Sequence, residues 1–319
     1  MRVTRMSGLA PRRLVGTLAV ALLASCGGGT QVERFVPTRV VVLGDENSVI
    51  NTDGTKYTIN GTVSATDLTL DCRVNPIWVQ VLAGAYGFVF AQCNPTAAAV
   101  TSVTYSSVGA KVADMAVQAG QVGVFAGTDL VTILAGANDI VQQYARYPGV
   151  SEQQLGAELE ATGAALAATV NAIADAGGKV LISTVPDMGL SPFAVAEKAA
   201  HVDTDRAALL SRLTARLNAK LRANINNDGR RIGLLLADEM VQTVAKFPST
   251  YAYTNVTAAA CLSTAALPAC STATLQPATT DVAAAGSFTW LWADALHLSP
   301  GGHSRLGGLA ATRAAGNPF

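Results

Sequence analysis

A rhythm constrains this chain more than any single residue. Short uninterrupted apolar runs, each stopped by a small polar turn, alternate with long helical patterns. The first run lies in residues 39–50, Arg-Val-Val-Val-Leu-Gly-Asp-Glu-Asn-Ser-Val-Ile. Residues 40–43 are rich in β-branched side chains and bounded by glycine, and they do not alternate, which reads as a strand buried on both faces of a parallel sheet. Residues 129–135, 179–185 and 231–237 repeat the pattern, and residues 100–105 alternate as a strand would. A helix is expected over 151–176, capped by Ser151, with Leu155, Leu159, Leu166, Val170 and Ile173 on one face and Gly177-Gly178 as its stop. Another runs over 203–226 by the spacing of Leu209, Leu210, Leu213, Leu217 and Leu221. Asn75 followed by Pro76, and Ser299 followed by Pro300, predict two more starts, each an N-cap and a first helical position. A further helix is expected through Lys111, Asp114 and Gln118. Residues 51–71 read as an irregular or hairpin-containing insert, and 250–288 as a long Ala/Thr-rich loop. Strand and helix alternate throughout, which predicts one doubly wound parallel α/β sheet.

The N-terminus carries a different signal. Arg2, Arg5, Arg12 and Arg13 precede an apolar segment, residues 14–23, that is too short to span a bilayer as a stable helix. It runs into Leu23-Ala24-Ser25-Cys26 and then three glycines, which resembles the lipobox of bacterial lipoproteins. That implies a signal peptide over 1–25, diacylation of Cys26, a tether over 26–37 and a single domain over 38–319. The expected location is the cell envelope, lipid-anchored at the outer membrane or its periplasmic face. The membrane is then a partner through the anchor alone. Without the four leader arginines, the 22 basic side chains fall to 18 against 22 acidic ones, a net charge of −4. No basic face for nucleic acid is expected from such a balance. Four cysteines remain, Cys72, Cys93, Cys261 and Cys270, and an even number in an exported chain implies disulfides. Three pairings are possible; local closure favours Cys72–Cys93 and Cys261–Cys270.

Ligands in open α/β sheets sit beyond the carboxyl ends of the strands. Residues 44–48, Gly109 and Asn138 all fall at such ends. Near the C-terminus comes Asp294-Ala295-Leu296-His297. A carboxylate three residues before a histidine can bond Nδ1, fix the tautomer and leave Nε2 as a general base. Gly109 can present an unobstructed backbone N–H and Asn138 a side-chain amide, together an oxyanion hole for a tetrahedral intermediate. Taken alone, the Asp294–His297 pair is a weak signal, and an ordinary surface loop explains it more often.

The four blocks in order resemble the SGNH (GDSL) hydrolase family. Gly44-Asp45 after a hydrophobic strand is similar to its first block, and Ser107-Val108-Gly109 to its glycine block. Gly136-Ala137-Asn138-Asp139 is similar to its GxND block, and Asp294 to His297 to its DxxH block. The resemblance implies a flavodoxin-like, three-layer α/β/α sandwich around a five-stranded parallel sheet. It also implies hydrolysis of small-molecule or lipid esters by a serine with Asp and His, needing neither metal nor cofactor.

One position departs from the family pattern. Where the serine should follow Gly-Asp, this chain has Glu46. A serine gives an acyl-enzyme with an ester, whereas a glutamate attacking the same carbonyl would give an anhydride, more reactive than the ester consumed. Three readings of the turn follow: Ser48 displaced into the nucleophile's place, Glu46 as a base on water, or a fold that has kept its frame and become a binding or structural lipoprotein. The sequence reading takes Ser48, Asp294 and His297 as catalytic and Gly109 and Asn138 as the oxyanion hole.

Overall fold

In the computed structural model the described residues are Arg2, 35–227, 229–277 and 285–316. Cys26, all of the signal peptide expected over 1–25 except Arg2, and most of the tether expected over 26–37 lie outside them.

Val40 and Val42 of β1 (Arg39–Gly44) join the core on one side of a sheet, and Val41 and Leu43 join the core on the other. All four are fully buried. That is the period-two geometry of a strand with no solvent face, and it explains why the run shows no polar alternation. β2 (Ser102–Thr104), β3 (Asp129–Leu134), β4 (Lys179–Ser183) and β5 (Ile232–Leu235) complete a five-stranded parallel sheet in the order β2-β1-β3-β4-β5. Val41 pairs with Val131, which pairs with Val180, so the strands run level and their carboxyl ends open at one pole.

One face is covered by α1 (Trp78–Gly84), α7 (Ala237–Lys246) and α8 (Pro300–Ala314), which pack around Trp78, Leu82, Val241 and Leu306. The other carries α2 (Asp114–Val122), α4 (Glu152–Asp175) and α6 (Arg206–Asn224), with Leu166, Val170 and Leu221 against Val131 and Ile182. The three-layer α/β/α sandwich follows directly. The Ser151 hydroxyl caps α4 by accepting from the Gln154 N–H, and Ser299 caps α8 by accepting from the Gly301 and Gly302 N–H groups.

Three differences from the sequence reading have physical causes. Asn75 does not cap α1: it adopts φ 55°, its amide donates to the Ile59 carbonyl, and the helix begins after Ile77, whose N–H donates to the Gln80 side chain. α3 (Ala137–Tyr144) and α5 (Pro192–Ala200) are helices of eight and nine residues, too short to carry a full periodic pattern; α7 likewise went unread. The region read as a loop from 250 onward contains β6 (Asn255–Ala259), which pairs in parallel with β7 (Trp290–Trp292). Cys261–Cys270 staples that small sheet's flank, and Cys72–Cys93 closes the insert. Among the described residues no helix is long and apolar enough to cross a membrane.

Candidate active site

β1 ends at Gly44, and the chain turns sharply there. Gly44 has φ 146°, and a Cβ on it would stand 2.5 Å from the Leu134 carbonyl oxygen of β3, so only glycine fits. The turn is clamped from a second side by Gln118 of α2. Its Oε1 accepts from the Gly44 N–H at 2.7 Å and its Nε2 donates to the Gly44 carbonyl at 3.0 Å. Sequence reasoning treated Gln118 only as a helix marker; a glutamine on an amphipathic face gives no local sign of such a contact. Asp45 then caps a 3-10 turn, Glu46–Ser48, accepting from the Asn47 N–H and side-chain amide, both at 3.0 Å. This turn aims the Glu46 side chain across the carboxyl pole of the sheet.

Glu46 lands where the Gly109 N–H and the Asn138 amide converge. The Gly109 N–H, presented by a left-handed backbone at φ 73°, donates to Glu46 Oε2 at 2.9 Å. Asn138, in the first turn of α3, donates its amide to Oε2 at 3.0 Å and Oε1 at 3.2 Å, and also to the Ala110 carbonyl. His297 Nε2 lies 3.3 Å from Glu46 Oε1. On its other edge His297 Nδ1 meets Asp294 at 2.8 and 2.9 Å, while the Leu296 and His297 N–H groups hold that carboxylate in place. Three residues from three separate segments, Gly109, Asn138 and His297, therefore meet around one carboxylate, with Asp294 behind His297.

The charges follow from these contacts. Burial works against an ionised Glu46, but hydrogen bonds from His297, Asn138 and Gly109 overcome it and bring its pKa down to about 2. Burial likewise works against a charged His297, yet the flanking carboxylates of Asp294 and Glu46 lift it to about 10. At neutral pH the centre is a carboxylate–imidazolium–carboxylate row. Asp45, fully buried beside Glu46, is pushed up to about 7 by burial and by that neighbouring charge.

Ser48 is not where the sequence reading put it. Its side chain is fully buried, and its hydroxyl accepts from the Trp78 indole N–H at 3.1 Å, on the core side of the turn. The 3-10 geometry presents Glu46 to His297 and turns Ser48 inward against Trp78. Asp139 accepts from the Val112 N–H, tying the loop after β2 to α3. His303, also buried, has its Nδ1 3.4 Å from the Trp78 N–H, on the helix side of the core.

A parallel α/β/α sheet thus carries an Asp–His pair and two convergent N–H donors at its carboxyl pole. Residues 40–309 match the GDSL-like lipase/acylhydrolase family, and the chain belongs to it. Among solved structures it is similar to a lipase from a goat rumen metagenome, at 12% identity over 88% of this chain and 99% of that one, with a TM-score of 0.47. An acetylxylan esterase from Geobacillus stearothermophilus gives 13% identity over 90% and 99%, with a TM-score of 0.41. An extracellular lipase from Streptomyces rimosus gives 16% over 88% and 100%, with a TM-score of 0.42. No curated protein matches the chain.

Proposed function

We propose that this acylhydrolase-family protein does not run serine acyl transfer, and serves as a lipid-anchored binding or structural component of the cell envelope. The observation that carries the reading is the seat of Glu46, whose Oε2 stands 2.9 Å from the Gly109 nitrogen and 3.0 Å from the Asn138 amide. An ester carbonyl oxygen would need that point to be polarised. Charge-assisted hydrogen bonds contribute about 1.5–3 kcal/mol each, and a neutral carbonyl does not replace a carboxylate that accepts several of them. His297 cannot act as the base while it holds a proton on Nε2 for Glu46. The anchor rests on the basic and apolar leader and the Leu-Ala-Ser-Cys sequence ending at Cys26.

A second reading is favoured by the Asp294–His297 pair and both donors being in place. In it Glu46 leaves the hole and takes a proton from water, hydroxide adds to the ester carbonyl, and His297 protonates the departing alkoxide. One experiment separates the two. The folded chain is exposed to a fluorophosphonate and to short-chain p-nitrophenyl esters, with intact mass and released phenolate as readouts. The first reading expects no adduct and no hydrolysis above the uncatalysed rate. Hydrolysis lost in both Glu46→Gln and His297→Ala, without an adduct, would replace it by the second. A serine adduct would overturn both.

A further inference from the structure

A second cleft lies on the outer face of α8, away from Glu46. Arg305 is its centre. The guanidinium carbon stacks 4.1 Å above the Tyr251 ring, which fixes the plane of the group. Gly308, one turn on, adds no side chain, and a Cβ built there would meet nothing within 4 Å, so the helix surface beside the guanidinium is bare. The buried Tyr253 hydroxyl is close enough to feel the guanidinium, which opposes the upward push of burial on its pKa. Among the described residues no carboxylate pairs with Arg305, while Arg206, Arg212, Arg216 and Arg222 each have one.

Two cavities meet at this residue. One, of about 380 Å³, is lined by Tyr253, Phe288 and Ser304 and contains no acidic side chain. The other, of about 250 Å³, is a mainly aliphatic slot between α7 and α8, lined by Leu236, Met240, Val244 and Leu309 with Thr243 beside them. Arg305, Tyr251 and Leu309 belong to both. The one acid of the slot, Glu239, pairs with Arg222 at 3.1 Å. A cation held at the mouth of an aliphatic slot matches a ligand with one anionic end and a short apolar body.

We propose that this bipartite cleft binds an aliphatic monocarboxylate, its head on the Arg305 guanidinium and its chain in the slot between α7 and α8. The bidentate edge of the guanidinium suits a carboxylate's two oxygens. The aliphatic walls reward a chain and offer nothing to a bare anion such as acetate.

The test is calorimetric titration of the full chain with sodium octanoate below its micelle concentration. Acetate supplies the charge without the chain, and octanol the chain without the charge. The expected result is saturable binding of one octanoate, with acetate and octanol each at least tenfold weaker. Arg305→Gln, its fold checked by circular dichroism, is expected to weaken octanoate at least tenfold, and Arg305→Lys to weaken it less than Arg305→Gln. No saturable binding by the wild type overturns the proposal. So does octanoate binding that Arg305→Gln leaves unchanged, or octanol binding as tight as octanoate.

Discussion

The molecule has two places built to receive a carboxylate, and they differ in what supplies it. At the carboxyl pole of the sheet the seat is made of Gly109, Asn138 and His297, and the chain fills it with its own Glu46. On α8 the seat is Arg305 against Tyr251, and among the described residues no side-chain carboxylate pairs with it. The first is deep, with Glu46 only 8% exposed, and its hydrogen bonds come from two loops and the first turn of α3. The second lies between α7 and α8, with Tyr251 against its cation. A seat that can polarise a carbonyl in a hydrolase holds an anion just as well, because the oxyanion of a tetrahedral intermediate and a carboxylate oxygen need the same donors. Under the proposed function, Glu46 turns a seat for a transition state into one for a ground state.

The sharpest way to break this comparison is to empty the first seat. Glu46→Ser removes the internal carboxylate and supplies the hydroxyl that the family uses, beside an Asp–His pair already bonded through Nδ1. In serine hydrolases loss of the nucleophile costs on the order of a millionfold in kcat. Partial recovery in a site adapted to glutamate should give about a thousandfold rise in ester hydrolysis over wild type. A fluorophosphonate adduct on residue 46 should accompany it, and both should vanish in Glu46→Ser with His297→Ala. If Glu46→Ser stays inert while folded, the pocket has lost more than its nucleophile.

Removing the partner instead of the occupant tests how strongly the first seat is held. His297→Ala leaves the Glu46 and Asp294 carboxylates facing each other with no cation between them. Breaking a buried pair from one side costs about 3–5 kcal/mol. Because Asp294 retains partial solvent contact, the lower figure of about 3 kcal/mol is expected by urea unfolding. Glu46→Gln, which removes a charge and keeps the shape, should cost about 1 kcal/mol. Equal losses in the two variants would mean that packing, not charge, holds the turn.

What was legible in the sequence divides along the same line. Residues 40–43 declare a buried strand because hydrophobicity without alternation has few other readings at that length, whereas the Asp294–His297 spacing suggests a pairing only beside the other blocks of the family pattern. Glu46 stood out by departing from the block around it. Its exact destination did not, since whether Glu46 or Ser48 faces His297 depends on the 3-10 turn that Asp45 nucleates and on Gln118 clamping Gly44 from another layer. The short helices α3 and α5 and the β6–β7 pair were illegible for a related reason: tertiary contacts, not periodicity, stabilise them. Arg305 was invisible because its meaning lies in Tyr251, more than fifty residues earlier, and in a slot made by α7.

Titration distinguishes a charged latch from a neutral one by direction alone. His297 is raised in the folded chain, so its contribution is complete below its ordinary value of 6.5 and is lost as pH climbs through about 10. Glu46 is depressed, so its contribution is complete above 4.5 and is lost as pH falls through about 2. The stability gap between wild type and His297→Ala should therefore be widest from pH 4.5 to 6.5 and narrow steadily toward pH 10. Thermal melts of both proteins across that range check it. A gap independent of pH would mean that the imidazole is neutral in the folded state, and the base of a hydrolase would be available after all.

The smallest effect belongs to the second seat, and its smallness is the point. Arg305 is half-buried, and its stack on Tyr251 is worth about 0.5–1 kcal/mol at an exposed site. Arg305→Gln keeps the aliphatic stem and some of the stacking area, so urea unfolding should register a loss of about 0.5 kcal/mol. That is roughly a sixth of the loss expected for His297→Ala, although both variants remove a cation next to an aromatic ring or a carboxylate. The ratio follows from occupancy. Where the chain supplies the anion, the cation's removal strands a buried charge; where the anion is a separate molecule, removal strands nothing in the free protein and the cost appears only on binding. A loss above about 2 kcal/mol for Arg305→Gln would exceed what the Tyr251 stack accounts for and make Arg305 a structural strut. The α8 cleft would then have an internal role, as the Glu46 seat does.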